Sequence, residues 1–76
     1  MPEDIERLSE RERTVVELMA VGKADKEIAA ELSLSVNTVK GYGKSILLKL
    51  NVQSRTEAAV MWTKYQDTQR KKSPPR

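Results

Sequence analysis

A link of only three residues joins two helical patterns in the middle of this chain, and it limits the possible folds more than any other feature. Apolar residues recur at helical spacing over residues 25–32, and a second pattern of this kind covers residues 36–50. Residues 33–35 are too few for anything but a tight turn, so the two helices must be neighbours in space. Ser35 is a suitable N-cap for the second helix.

Further helical patterns flank this pair. Ser9 with Glu12, and Ser54 with Glu57, each form the S-x-x-E pattern of a capping box, which marks the start of a helix. Neither an internal repeat nor an alternating strand pattern is present. The sequence predicts an all-α fold, a four-helix helix-turn-helix domain with helices at about 10–21, 25–32, 36–50 and 55–66.

The two ends of the chain differ from this helical region. Residues 1–8 read as a short lead-in, and residues 9–66 as the helical domain. Residues 67–76 are polar and basic and contain two adjacent prolines, so we expect a disordered tail. Gly22 and Asn51 are placed to end the first and third helices in the left-handed conformation.

Composition excludes several kinds of site. The 76 residues include neither Cys nor His, which removes disulfides, thiolate ligands, and the commonest general base and metal ligand. We therefore expect no catalytic residue, no metal, no cofactor and no small-molecule ligand, and an enzyme is the least favoured class. No apolar run reaches the length of a membrane span, and the first residues do not resemble a signal peptide, which favours a cytoplasmic protein.

Charge divides the chain into two parts. Residues 1–31 carry nine acidic and five basic side chains, a net charge of −4, whereas residues 32–76 carry nine basic and two acidic ones, a net charge of +7. This asymmetry indicates that one face meets a polyanion, although the cations could also serve solubility alone. Only one Trp and two Tyr are present, which argues against stacking platforms for single strands or RNA.

The third predicted helix has two unlike faces. At about 100° per residue, one narrow arc contains three apolar residues and a glycine: Val39, Gly43, Ile46 and Leu50. The opposite side contains Asn37, Lys40, Gly41, Lys44 and Leu48. Ammonium groups suit phosphates and guanine acceptors, and an amide suits adenine or phosphate, so this side fits a major groove. A plain solvated face is the alternative.

Two glycines lie close together in this helix, where each costs roughly 0.5–1 kcal/mol relative to alanine. Because Gly41 and Gly43 are about 200° apart around the helix, they must serve separate purposes. On the polar side, Gly41 would let the backbone approach DNA closely. On the apolar side, we expect Gly43 to allow tight packing against a neighbouring helix.

Five motifs occur in order between residues 8 and 59: LSERE (8–12), GxxxKEIAAEL (22–32), LSVNTVK (34–40), IxxKLxV (46–52) and SRxEA (54–58). Together they resemble the C-terminal DNA-binding domain of the LuxR/GerE family, which is also found in NarL/FixJ-type response regulators. Their common order and spacing make the resemblance specific.

The resemblance implies sequence-specific binding of double-stranded DNA in transcription regulation, with the third helix in the major groove. It implies base or groove contacts for four residues: Asn37, Lys40, Gly41 and Lys44. It implies phosphate contacts for four others: Lys26, Ser35, Thr38 and Tyr42. Lys26 could instead pair with nearby acids.

The resemblance also implies a homodimer on two half-sites, formed through the fourth predicted helix, and RNA polymerase as a further partner. That helix is apolar nearly all round. One face, with Ala58, Met61, Trp62 and Tyr65, can pack on the domain. The other face can pair two subunits or remain exposed, and it comprises Thr56, Ala59, Val60 and Thr63.

The chain departs from the family pattern at several positions. Ala24 stands where Ser or Thr is usual, so the second helix loses a capping hydroxyl that Asp25 could replace. Tyr42 stands where His is usual, Gly43 where a medium apolar residue is usual, and Asn51 where Gly is usual. None of these changes removes a groove contact.

Two roles stay open at this point. Arg55 can pair with a carboxylate or touch a phosphate, and the whole domain could be a helical protein–protein interaction module instead of a DNA binder. Binding by such a module would be insensitive to salt and to Lys40 or Lys44. Binding to DNA would instead weaken steeply with salt.

Overall fold

A computed structural model of the chain describes residues 2–72. Within this range the chain forms five α-helices and no strand: α1 (Pro2–Ile5), α2 (Glu10–Ala20), α3 (Asp25–Leu32), α4 (Val36–Leu50) and α5 (Arg55–Lys72). The all-α prediction is confirmed. Helices α2 to α5 are the four predicted helices, and α1 is an additional single turn.

Side-chain caps explain where α2 and α4 begin. The Ser9 hydroxyl accepts a hydrogen bond from the Glu12 N–H at 3.1 Å, and the Glu12 carboxylate accepts one from the Ser9 N–H at 2.8 Å. This is the predicted capping box. Ser35 caps α4 in the same way, because its hydroxyl accepts from the Thr38 N–H at 3.0 Å.

Left-handed residues end three of the helices. Gly22 has a φ of 90°, which favours glycine, and the N–H groups of Gly22 and Lys23 donate to two carbonyls in the last turn of α2, each at 3.0 Å. Asn51, with a φ of 56°, ends α4 as predicted. Ser33, with a φ of 58°, ends α3 and opens the tight turn into α4.

The start of α3 differs from the prediction that Asp25 replaces the missing hydroxyl. Ala24 provides no side-chain cap, and the carboxylate of Asp25 lies 2.9 Å from a guanidinium nitrogen of Arg55. The Glu27 carboxylate satisfies one N–H of the helix end, since it accepts from Ala24 at 2.8 Å. Asp25 is drawn away because a guanidinium is the stronger partner for a carboxylate.

The predicted capping box of α5 is half formed. The Ser54 hydroxyl accepts from the Glu57 N–H at 3.2 Å. The Glu57 carboxylate accepts from the N–H of Gln53 at 3.1 Å, one residue before the expected partner. The Ser54 hydroxyl thus satisfies one N–H of the first turn of α5, and the Glu57 carboxylate satisfies the N–H of the residue before Ser54.

A single core joins all five helices. Helix α2 packs against α4 and α5, α3 packs against α4, and α1 packs mainly against α5. The buried apolar residues are Ile5, Leu8, Val15, Val16, Met19, Ile28, Ala29, Val39, Ile46, Leu50, Ala58 and Trp62. Three of the four positions in the predicted apolar arc of α4 are therefore core residues, which fixes the rotation of that helix about its axis.

Near both ends, the described residues 2–72 contain more helix than the sequence predicts. In the predicted lead-in, α1 places the fully buried Ile5 in the core. Helix α5 continues to Lys72, so residues 67–72 are helical where the sequence predicts a disordered tail. No Gly or Pro occurs between Arg55, where α5 begins, and Pro74. Residues 73–76 of that predicted tail lie outside the described part.

Candidate nucleic-acid interface

The buried arc of α4 turns the opposite side of that helix to solvent. We call this side the outer stripe, and its members are Asn37, Lys40, Gly41, Lys44 and Leu48. All five are exposed, and Leu48 has 82% of its surface accessible. The four residues predicted to contact bases or the groove therefore share one surface, next to the three-residue turn that connects α3 with α4.

The outer stripe is positively charged, and none of the described acidic residues forms an ion pair with it. No acidic residue occurs between Glu31 and Glu57. Lys40 and Lys44 lie one helical turn apart, and neither forms an ion pair within residues 2–72. Two uncompensated ammonium groups at this spacing create a positive potential along the helix, which favours a polyanion.

The third lysine of α4 has a different role. Lys49 Nζ lies 2.8 Å from Glu12 Oε1, and the Ser45 hydroxyl donates to Glu12 Oε2. Glu12 is only 4% exposed, so its carboxylate is a buried group with full hydrogen-bonding partners. These bonds connect the first turn of α2 to the flank of α4 and hold the outer stripe in one orientation.

The environment of Glu12 changes its acidity. Burial acts to raise the pKa of the Glu12 carboxyl. Hydrogen bonds from Lys49, Ser45 and the Ser9 backbone, together with the charge of Lys49, outweigh burial and lower the pKa from 4.5 to about 2. Glu12 is therefore a carboxylate at any physiological pH, which suits a structural anchor and not a proton donor.

The sequence predicts only a capping role for Glu12 and does not predict its bonds to Ser45 and Lys49. The available signal was their position: Ser45 and Lys49 are four residues apart on the flank of α4, between its apolar arc and the outer stripe. A polar pair at that place can reach a neighbouring helix. The neighbour itself lies 33 and 37 residues away along the chain.

Two predicted phosphate contacts lie at the N-terminus of α4. The hydroxyl oxygens of Ser35 and Thr38 are 2.8 Å apart, and both side chains are exposed. One hydroxyl donates to the other in this pair, which leaves one hydroxyl hydrogen available to a phosphate oxygen. The cap and a phosphate contact are thus compatible.

The other two predicted phosphate contacts differ in exposure. Lys26 is exposed in the first turn of α3 and forms no ion pair within the described range, because Asp25 binds Arg55 and Glu27 caps the helix. Tyr42 is half-buried against the core, so packing accounts for part of its role.

Arg55 pairs with a carboxylate, which decides one of the roles left open by the sequence. Its guanidinium donates to Asp25 at 2.9 Å and to the carbonyl of Lys23 at 3.2 Å. The start of α5 is thereby attached to the start of α3. The positive charge of Arg55 is offset by Asp25, unlike the charges of the outer stripe.

The predicted tight packing at Gly43 is wrong. A Cβ atom built at Gly43 would have no neighbour within 4 Å, and the residue borders an open cavity of about 410 Å³ with Met19 and Leu47 at its apolar side. Gly43 lies at the edge of the apolar arc, where α2 and the start of α5 leave space. A Cβ atom at Gly41 would also meet nothing within 4 Å.

The outer face of α5 is accessible. Ala58 and Trp62 are buried, as predicted for the packing face. Of the residues predicted to pair two subunits, Thr56, Val60 and Thr63 are exposed and Ala59 is half-buried. The Val60 side chain has 46% of its surface accessible.

Comparison with known proteins gives consistent matches. The family model described as bacterial regulatory proteins, luxR family, matches residues 6–62. The transcriptional regulatory protein DesR of Bacillus subtilis is 53% identical over 51 residues, which are 67% of this chain and 26% of DesR. LiaR of the same organism is 47% identical over 55 residues, which are 72% of this chain and 26% of LiaR.

A third relative is the nitrate/nitrite response regulator protein NarL of Escherichia coli. It is 42% identical over 57 residues, which are 75% of this chain and 26% of NarL. The chain thus spans about a quarter of the length of each of these relatives.

Proposed function

Since this chain belongs to the luxR family of bacterial regulatory proteins, we propose that it binds double-stranded DNA sequence-specifically in transcription regulation. The main support for this proposal is the outer stripe, where Lys40 and Lys44 have no acidic partner within residues 2–72. The opposite side of α4 is buried in the core, so the stripe faces solvent. The relatives DesR and LiaR are named transcriptional regulatory proteins, which favours the same role here.

Each part of the helix-turn-helix has a task in this proposal. Helix α4 enters the major groove, and Asn37, Lys40 and Lys44 offer one amide and two ammonium groups to base edges and phosphates. Gly41 leaves room for the backbone to approach. The exposed Lys26 and the Ser35–Thr38 hydroxyl pair face the flanking phosphates and set the position of α4 along the groove.

We further propose that two chains bind two half-sites through the outer face of α5. The exposed Val60, together with Thr56, Ala59 and Thr63, supplies a small apolar area of the kind that pairs symmetric subunits. Half-sites one helical turn of DNA apart, about 34–36 Å, would match a symmetric pair.

The setting of this activity is also a proposal. A bacterial regulator that binds operators acts in the cytoplasm, and RNA polymerase is the partner through which it would change transcription. NarL is named a response regulator, which favours the same class of regulator for the protein that carries this domain. Within residues 2–72 no helix is long and apolar enough to cross a membrane.

Selection of bound sites from random duplexes, followed by binding assays on the selected site, tests the main proposal. We expect Lys40→Ala to weaken binding to the selected site by about 1–3 kcal/mol if Lys40 reads a base. The logarithm of the binding constant should fall with the logarithm of salt concentration, with a slope near −0.9 per phosphate contact. Arg11→Ala, which removes an exposed cation on α2 outside the outer stripe, is the matched control and should change binding little.

Three outcomes would contradict parts of the proposal. Equal loss of affinity for selected and random duplexes in Lys40→Ala would make Lys40 a phosphate contact only. Recovery of no sequence from the selection would remove sequence-specific recognition. Partner binding that ignores salt and both lysines would favour a protein–protein interaction module instead.

A further inference from the structure

Leu48 is the most exposed of the large apolar side chains that the described residues leave at the surface, with 82% of its area accessible. Single exposed leucines are common on protein surfaces and need no explanation. The position of Leu48 gives it meaning, because it belongs to the outer stripe and not to the core side of α4. Folding of the isolated domain gains almost nothing from this side chain.

Within the outer stripe, Leu48 is the last member along the axis of α4. At about 100° per residue, its direction falls between those of Gly41 and Lys44. It is the one apolar side chain of the stripe, beside two ammonium groups, one amide and one glycine. Its backbone is well fixed, because the preceding Ile46 and the following Leu50 are buried and the adjacent Lys49 is bonded to Glu12.

We propose that Leu48 selects a thymine in each half-site by contacting the thymine C5-methyl group. This inference depends on the proposed binding of α4 in the major groove and adds a base preference to it. Thymine is the base that presents a methyl group in that groove, whereas the other edges present donors and acceptors. A leucine over those polar groups would remove their water without offering a hydrogen bond, which is unfavourable.

The spacing along α4 restricts which thymine is read. Leu48 lies four residues after Lys44, about 6 Å along the helix axis. Successive base pairs are about 3.4 Å apart. We therefore expect the selected thymine one or two base pairs from the base pair nearest to Lys44. Lys44 would contact one base pair through its ammonium group, and Leu48 would contact the methyl group of a thymine one or two base pairs away.

Replacement of thymine by uracil tests this directly, because uracil lacks the methyl group and keeps the hydrogen-bonding edge. Each thymine of the selected duplex is replaced in turn, and binding is measured for the wild-type chain and for Leu48→Ala. For the wild-type chain we expect uracil at one position per half-site to lower the affinity about fourfold. This factor corresponds to about 0.8 kcal/mol, the contribution of one buried methyl-sized group. Leu48→Ala should bind the thymine and uracil duplexes equally.

Val21→Ala is the matched control. Val21 is 69% exposed, but it lies at the end of α2 and outside the outer stripe. Its truncation should preserve the thymine-to-uracil ratio of the wild-type chain. Circular dichroism of both variants establishes that they remain folded.

Different failures have different meanings. If no position shows a uracil effect that Leu48→Ala abolishes, the thymine contact is overturned while DNA binding stands. If Leu48→Ala weakens binding to thymine and uracil duplexes by the same factor, Leu48 touches the sugar–phosphate backbone and the inference is likewise overturned. If the wild-type chain binds no duplex, the proposed function itself fails.

Discussion

The carboxylate of Glu12 links helix capping to the orientation of the candidate interface. It accepts hydrogen bonds from the Ser9 backbone, from Ser45 and from Lys49, and so connects the start of α2 with α4. Removing one partner of such a buried group leaves the others unsatisfied, which costs more than the bond itself contributes. A residue far from the outer stripe can therefore affect how the stripe is presented.

Glu12→Gln should reduce the dependence of stability on acid. The pKa of Glu12 is lowered from 4.5 to about 2 in the folded chain. A lowered folded pKa means that the carboxylate adds stability above pH 4.5, and that this stability is lost as the pH falls toward 2. Between these limits, we expect the free energy of unfolding to fall by about 2 kcal/mol more in the wild-type chain than in Glu12→Gln. Urea unfolding at several pH values measures the difference.

Glu17→Gln provides the control for this experiment, since Glu17 is an exposed glutamate on the same helix. It should keep the pH dependence of the wild-type chain. An identical acid response of Glu12→Gln and the wild-type chain would show that the network around Glu12 does not hold the carboxylate in its charged form. Lys49 is partly exposed, so solvent screens its interaction with Glu12. This screening limits the expected difference in the free energy of unfolding to about 2 kcal/mol.

Helix α4 contains two glycines on different faces, and an added Cβ atom would be free of contacts at both. Neither Gly41 nor Gly43 has a neighbour that a Cβ atom would meet within 4 Å. Alanine should therefore stabilise the helix by roughly 0.5–1 kcal/mol at either position, because glycine is the poorer helix former. The two substitutions are a matched pair, since their effect on folding is the same.

The pair should separate in DNA binding. Gly43→Ala adds a methyl group to an open cavity that Lys40 and Lys44 also border, where nothing lies within 4 Å of it. Because Gly43 is not itself part of the outer stripe, we expect a higher melting temperature and a smaller change in DNA affinity than at Gly41. Gly41→Ala lies on the outer stripe, so we expect the same gain in stability together with altered affinity. A thermal melt and a binding titration of each variant are sufficient. A lower melting temperature for Gly43→Ala would mean that this side of α4 is closely packed after all.

Across the whole molecule, acidic and basic side chains serve different purposes. In the acidic part, Glu12 and Glu27 cap helices, and Asp25 and Glu31 pair with Arg55 and Lys23. These carboxylates are engaged in caps and ion pairs. Lys40 and Lys44 have no such partner within residues 2–72, so both of their charges remain available on the outer stripe.

Pairing of two chains is a property of the complete assembly and can be tested on a duplex with two half-sites. We expect two wild-type chains per duplex by analytical ultracentrifugation, bound cooperatively. Val60→Asp would place a charge in the apolar contact and should lower the cooperativity about tenfold. Val60→Thr keeps the shape without the charge and is the control. Complexes of one chain per duplex for the wild type would remove the dimer from the proposed function.

Much of the fold was predictable because its signals are local. Capping at Ser9 and Ser35, and the left-handed ends at Gly22 and Asn51, depend on residues within a few positions of one another. The end of α5 was not predictable from apolar periodicity, which fades near Tyr65. The helix continues to Lys72 because Gln, Arg and Lys are good helix formers even without a core to cover.

The sequence by itself determined the order of the helices, the three-residue turn between α3 and α4, and the side of α4 that carries Lys40 and Lys44. Only the tertiary structure decided that Glu12 binds Lys49, that Asp25 binds Arg55, and that Gly43 borders open space. The physical reason is distance along the chain. Helical periodicity and caps involve residues three or four positions apart, whereas these two ion pairs join residues 37 and 30 positions apart. Such contacts depend on how whole helices cross, and no short pattern in the sequence encodes that geometry.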